Sequence, residues 1–484
     1  MRMLRYKKPV SLIVGLDGKP LAAESRAYEA SAQGRRLGSF DAPDLSPNQA
    51  ATAELTILRR RMRASVRNNP WMSRGLKADV ANETGTGFIP RSKASNKAFR
   101  KAIRTLWNDW LPFADADGIL NAYGIQWSAA RARKEAGEVF IRIRQRRPED
   151  GLPVPVQFQV LEADFCPVSM NEKAPNGNDI VSGIEFNAIG KRVAYWMYKK
   201  HPAEKGGWTY NELTRVPAEQ IIHHFIPLRP GQLRGNPDAV QAIVRSYLYD
   251  KYDDAELGRK ETRAHYTGVI RRPDYGADDY RFDPISGVPI GLDDDGVPML
   301  DLEPGSFPSL LPGEDVTLFD GDDGGAGYAD FQWQQKLAIA AGQDVPYELA
   351  TGDYSRINDR VWRAIMNQYR REIEQTQDLF TIHQVCRVMW EAFIDAAVLA
   401  GAVEAPGYET RRFDYIRTDH RAPAWPYINP LQDANAARIL KEEGLESRQA
   451  LVAERGWDVE DVDEQRAEDN QREQKLGLTD SNHK

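Results

Sequence analysis

The side chains of this chain that could do chemistry are few, and their spacing works against it. His223 and His224 are adjacent in Ile221-Ile-His-His-Phe-Ile226, so on a strand they point to opposite faces and cannot both ligate one metal from this segment. Asp293, Asp294 and Asp295, and later Asp320, Asp322 and Asp323, hint at calcium, but neither group has the full ligand ladder ending in glutamate. Cys166 and Cys386 stand far apart in apolar surroundings, the pattern of structural thiols in a reduced, intracellular protein. Gly85-Thr-Gly87 lacks a third glycine and a following helix start, so it reads as a backbone turn and not a phosphate cradle. Arg59, Arg60, Arg61, Arg63 and Arg67 have no interleaved aromatic residues and read as a solvated helix face. There is no HExxH, nucleophile elbow or P-loop. The expectation is a chain with no metal, no cofactor and no catalytic residues, against the rival reading of a metal-dependent hydrolase using Asp, Glu and His.

Bulk properties narrow the field further. A net charge of −7 and a pI of about 5.7 argue against gripping nucleic acid over a broad surface, while leaving local contact open. No apolar run approaches the roughly 18 residues needed to span a bilayer, and the first residues lack the apolar core of a signal peptide. A soluble protein without a membrane partner is expected. The length of 484 residues predicts more than one subdomain.

The elements that would position these residues can be read in order. Residues 1 to 50 have no sustained periodicity and suggest an arm that orders on a partner. Leu55, Leu58, Met62 and Val66 then set a helix, stopped by Asn68-Asn-Pro70, and a second helix runs from about Trp71 to Asn82. A helix over Lys97 to Leu111 carries Trp107 and Trp110 as core. Glu138 to Arg144 alternates Val139, Ile141 and Ile143 against Phe140, Arg142 and Arg144, as a half-buried strand does. Val154 to Val160 repeats that pattern, and 182–186 with 192–198 form a hairpin. Pro237 opens a long helix to His265 whose apolar residues spread around the rod, as in a helix squeezed between identical neighbours.

Residues 266–327 are Pro- and Gly-rich and acidic, with a hairpin read around Asp295-Gly296. A short helix from Tyr328 and a rod from Asn358 to Ala400, roughly 60 Å long at 1.5 Å per residue, flank the loop Val345 to Ile357. Pro346 and Gly352 break helical periodicity there, and Asn358 can cap the rod. Tyr415 to Thr418 and Ala424 to Asn429 look strand-like. Helices follow from Pro430 and after Ser447, and the tail from Asp458 reads as disordered.

Several stretches together resemble the lambda-type portal proteins of tailed bacteriophages. Leu58-Arg-Arg-Arg-Met-Arg-Ala-Ser-Val-Arg-Asn-Asn-Pro70 with Asn82 to Gly87 is similar to the opening of that family. Arg131 to Phe140 resembles its first long strand, and Gly183 to Phe186 with Val193 to Trp196 its hairpin. Val216-Pro-Ala-Glu-Gln-Ile-Ile-His-His-Phe225, Leu228-Arg-Pro-Gly-Gln-Leu-Arg-Gly235 and Asp253 to Leu257 carry most of the likeness. Asn429-Pro-Leu, Ala436-Ala and Gly444 to Gln449 add to it.

The resemblance implies an α+β portal fold that assembles into a twelve-fold ring at one capsid vertex. It implies an N-terminal arm (1–50), a wing (51–236), a first stem helix (237–265) and a clip (266–327). A second stem helix (328–344), a tunnel loop (345–357), a long wing helix with return strand (358–428), and a crown with tail (429–484) would follow. The implied partners are other copies of the chain, double-stranded DNA in the channel, the terminase large subunit, head-tail adaptors, and the major capsid and scaffold proteins. The implied location is the virion, after assembly in the host cytoplasm.

On this frame Tyr354, Ser355 and Arg356 are expected at the DNA backbone, with Tyr347 and Glu348 supporting the loop's base. The aspartates at 293–295 and at 320, 322 and 323 are expected on the clip's docking surface. A smaller head-tail adaptor is the structural alternative, and the chain's length disfavours it.

Overall fold

The computed structural model describes residues 43–204, 212–265, 268–271, 315–318, 328–425, 430–455, 457 and 459–478. The chain divides into two units, Met1–Ser46 and Pro47–Lys484. Nearly all of the first, and with it most of the expected arm, lies outside the described residues.

The second unit opens with α1 (Pro47–Asn68) and α2 (Pro70–Thr84). Asn69 separates them because its side chain accepts from the Met72 amide at 2.9 Å while Pro70 takes the first helical position. Strand β1 (Ile89–Ser92), α3 (Lys97–Trp110) and α4 (Ala122–Ala136) follow. Gly137, at φ 88°, ends α4 and starts β2 (Glu138–Gln145) within one residue.

Strands β3 (Val156–Glu162), β4 (Glu172–Lys173), β5 (Asp179–Val181), β6 (Ile184–Phe186), β7 (Arg192–Tyr198), β8 (Leu213–Pro217) and β9 (Ile221–Phe225) make two antiparallel sheets, ordered β3-β2-β9 and β4-β5-β6-β7-β8. The central strand β2 is covered on both faces over its first half, where alternation had suggested one. Val139 and Ile141 enter a core with Trp107, Trp110, Trp390 and Phe393, while Phe140 enters a second core with Tyr195, Met197 and Val216. A neighbouring sheet, which strand alternation alone cannot reveal, supplies that second cover.

Helix α5 (Val240–His265) begins three residues after Pro237. Of 266–327 the structure describes β10 (Gly268–Arg271) and β11 (Asp315–Leu318), paired antiparallel with Gly268 opposite Leu318. The insertion is therefore closed at its base by a two-stranded ladder. The hairpin read around Asp295-Gly296 lies outside the described residues.

Helices α6 (Tyr328–Ala341), α7 (Tyr347–Thr351) and α8 (Asp359–Thr376) come next, and α8 runs through a π-helical stretch, Gln377–Cys386, into α9 (Arg387–Leu399). The backbone stays helical at both joints, so the expected rod is continuous, with a wider-wound middle. Beyond it the structure departs from the sequence reading. Tyr415 ends a helix, α10 (Tyr408–Tyr415), and the strand begins later as β12 (Thr418–Arg421), paired with β1. After α11 (Pro430–Glu442) and α12 (Arg448–Glu454) comes α13 (Val459–Leu476), where composition suggested disorder. Its Glu-, Gln- and Arg-rich sequence has good helix propensity, which polarity alone conceals. No helix among the described residues is long and apolar enough to cross a membrane.

Candidate functional site

Residues 345–357 are not all loop, because Pro346 caps the single-turn helix α7 and Gly352, at φ 76°, closes it. Glu348 is buried in that turn, and its carbonyl accepts from the Gly352 amide at 2.7 Å. Tyr347 sets its ring 6.0 Å from that of Trp333 on α6 and donates from its hydroxyl to Asp353 at 3.1 Å. Asp353 in turn accepts from the Ser355 hydroxyl at 2.6 Å and its amide at 3.0 Å. Tyr354 is half exposed, its ring 5.4 Å from Trp362. The tip is thus a braced turn, with Tyr347 and Glu348 at its base and Tyr354, Ser355 and Arg356 at its end.

Arg356 folds back onto α6. Its guanidinium lies over the Trp333 ring at 4.7 Å and reaches Asp330 at 3.3 Å. Helix α2, which the sequence reading left out of the loop's support, holds the other side. Arg74 donates to the Leu349 carbonyl at 3.1 Å, and Gly75 leaves room for the Gln343 side chain, which a Cβ would meet at 2.1 Å. Asn358 caps α8 by accepting from the Val361 amide at 3.0 Å.

The stretches that carry the family resemblance converge elsewhere, on the fully buried carboxylate of Glu138. Arg59 from α1 donates to it at 2.5 Å, Arg234 at 2.7 Å, the Gly235 amide at 3.0 Å, and His223 from β9 at 3.0 Å. Arg234 continues outward, donating to the Ser182 carbonyl at 2.6 Å and the Cys166 carbonyl at 2.9 Å. Burial alone would raise Glu138, yet Arg234, Arg59 and His223 together hold it well below the usual carboxylate range. His223 is pushed down to about 4 by burial, against the pull of Glu138. It is therefore neutral at pH 7, and since a carboxylate only accepts, the proton sits on Nε2.

A second buried cluster ties α2 to α4 and the rod. Glu83 accepts from Arg133 at 2.9 Å, Lys134 at 2.8 Å and the Thr381 hydroxyl at 2.7 Å. The Gln377 side chain donates to the Glu83 carbonyl at 2.6 Å. His224 sits on the opposite face from His223, as adjacent strand residues must, with Nδ1 2.7 Å from Gln384 in the π-helical stretch. Burial pushes it down to about 3. Both histidines are structural.

The reading of the arginine run as a solvated face holds for Arg60, Arg61 and Arg67 and fails for Arg59 and Arg63. Arg59 is the buried partner of Glu138, while Arg63 bridges Asp164 at 2.5 Å and Glu162 at 3.0 Å. That bridge also bears on metal binding. Glu162, Asp164 and His201 are close enough to share a cation, but the Arg63 guanidinium already supplies the positive charge. Both cysteines are buried free thiols, and burial pushes Cys166 up to about 11, so neither is an activated nucleophile. The aspartates at 293–295, 320, 322 and 323 lie outside the described residues.

The described geometry is a braced tip between α6 and α8, behind which two buried ion clusters tie α1 and α2 to α4, the sheets and the rod. The family model of phage portal protein, lambda family, matches residues 33–377. The chain belongs to that family. The match takes in Arg59, Glu138, His223 and Arg234 and runs on through the braced loop to the start of the π-helical stretch.

The probable portal protein of Halomonas phage phiHAP-1 is 24% identical over 432 residues, covering 87% of this chain and 81% of that protein. The portal protein of Escherichia phage N15 is 21% identical over 521 residues, covering 96% and 94%. Portal protein B of Escherichia phage lambda is 21% identical over 520 residues, covering 97% and 94%. Among solved structures, the neck of an empty gene transfer agent particle, computed with C6 symmetry, aligns with a TM-score of 0.46 at 15% identity, covering 88% of this chain and 98% of that one.

Proposed function

We propose that this portal-family chain builds a closed homo-oligomeric ring of about twelve subunits at one capsid vertex. The ring is the channel through which a terminase motor drives double-stranded DNA during packaging and through which DNA leaves. The observation that carries this reading is the apolar surface of the two stem helices. Val244, Tyr247, Leu248 and Leu257 on α5 and Phe331 and Leu337 on α6 are exposed in the single subunit, on rods with little of their own core. Repeated apolar residues on an unaccompanied rod call for a second protein surface, and an identical neighbour supplies one on every subunit.

Within the ring, the loop carrying Tyr354, Ser355 and Arg356 faces the axis and touches DNA backbone, and α2 braces it from behind. A conduit must not bind strongly, because each phosphate neutralised by a fixed cation adds affinity. One arginine per subunit, partly engaged by Asp330, is consistent with guidance at low friction. The acidic insertion at 266–327 docks the motor and then the adaptors, which should present basic patches, so docking should weaken as salt screens it. The reading assigns a virion location and no enzymatic activity. Light scattering on the purified chain tests it: a particle of about twelve times 54.7 kDa is expected, and a stable monomer contradicts it.

A further inference from the structure

Between β1, α3 and the C-terminal helix α13 lies a cleft of about 1130 Å³. One side is basic. Lys97, Lys101 and Arg104 recur along the exposed face of α3 at helical spacing, with Arg100 beside them, Arg91 on β1 and Arg421 on β12 completing the rim. The floor is aromatic and includes Trp107 and Trp390. Trp390 is 1% exposed, and its indole N–H, a group that can only donate, has no partner among the described residues.

The opposite side is acidic. Helix α13 carries seven Asp and Glu against three Arg and Lys, and Glu460, Asp463 and Glu464 line the cleft. That cover is lightly held. Of its described side chains, only Val459 and Val462 are even half-buried. The Arg421 side chain donates to the Trp457 carbonyl at its base, and Arg448 of α12 pairs with Asp463 at 2.7 Å. A helix with so few apolar contacts opens at little cost.

We propose that the cleft is a second DNA-backbone site, separate from the loop tip, and that α13 is its removable acidic cover. A stripe of cations along one helix face, with a buried donor beneath it, fits a row of phosphate oxygens. Trp107 and Trp390 are buried, so the walls offer little face for stacking bases, and the site reads backbone and not sequence. The carboxylates of α13 occupy the place of phosphates and keep this basic face off DNA until they are displaced. The choice of DNA as the occupant rests on the portal reading. Ring formation is measured separately, so the two can fail independently.

The test uses the full chain and a short fluorescently labelled DNA duplex, with affinity followed by anisotropy across a salt series. Glu460→Gln with Glu464→Gln should tighten binding at least about fivefold at low salt and steepen its salt dependence. Adding Lys101→Gln and Arg104→Gln, both exposed on α3, should abolish the gain and flatten the salt slope by about two. Unchanged affinity in the first variant overturns the proposal, as does a gain that survives the second. A synthetic peptide of residues 459–478 should compete with the duplex. If the peptide binds and the duplex does not, the cleft is a docking site for an acidic protein segment and the DNA assignment is overturned.

Discussion

The guanidinium of Arg356 lies 4.7 Å from the centre of the Trp333 ring, and its Nη2 is 3.3 Å from Asp330, so the residue at the tip of the loop is held on α6. The ion pair is exposed and weak, since Asp330 and Arg356 are both open to solvent. The stacking adds direction, because a cation over an indole face is attracted wherever water is thinned. Contact with a passing phosphate would exchange one anionic partner for another at small net cost.

Arg356→Glu should therefore act twice. It places a carboxylate beside Asp330 and against the negative face of the indole, which drives the tip off α6, and it removes the cation offered to DNA. Packaging or retention of DNA in particles should fall while ring assembly stays intact. Wild-type packaging by this variant would remove Arg356 from the channel.

Glu138→Gln should destabilise the fold by about 3–5 kcal/mol, because Arg59 and Arg234 would remain buried with their charge uncompensated. Chemical denaturation of the full chain measures it, with Arg60→Gln, on the exposed face of α1, as the control expected to change little. Equal effects from the two would show that Glu138 is not the hub of the buried cluster.

Gly235→Ala tests the same hub through the backbone. A Cβ at 235 would stand 1.9 Å from the Gly137 carbonyl oxygen, and neither loop can yield without disturbing the Gly235 amide bond to Glu138. A loss of at least about 2 kcal/mol is expected in the same denaturation assay. Gly118→Ala, where a Cβ meets nothing within 4 Å but φ is 70°, separates backbone strain from this collision and should cost about 1 kcal/mol.

Much of this was legible in the sequence, and the failures have physical causes. Helices with one apolar stripe, such as α1 and α3, and strands bounded by turn residues, such as β6 and β7, declare themselves through periodicity. The Asn358 cap is legible for the same local reason. What escaped were partnerships across long sequence separations. Arg59 looks like its neighbours in a run of arginines, and only its position on the inner face, one residue beyond Leu58 and three before Met62, could have marked it as buried. Glu138 at the head of an apolar strand was the stronger clue, since a buried carboxylate demands cations from elsewhere. The loop was located from its breakers, but its support by α2 rests on Arg74 and Gly75, residues with no local signature.

Stability should fall as the medium turns acid, in two stages. His223 and His224 are pushed from an ordinary value of 6.5 down to about 4 and about 3 by burial, and His420 down to about 4. Below pH 6.5 the unfolded chain takes up protons that the folded chain refuses, at about 1.4 kcal/mol per pH unit for each histidine. Glu138 and Glu83 have lowered values, so their contribution is intact above the ordinary carboxylate range and is lost only as pH falls beneath it. Urea midpoints should drop between pH 7 and 5, before carboxylate titration begins. A flat profile over that interval would contradict the buried, neutral state of the histidines.

Electron microscopy of the purified chain tests the proposed ring and its central hole. Closed particles of about twelve subunits around a central channel wide enough for a DNA duplex are expected. The 345–357 loop should lie at the narrowest point of that channel, with α5 and α6 of adjacent subunits in contact around it. Single subunits, open filaments, or rings in which that loop lies on the outer surface would contradict it.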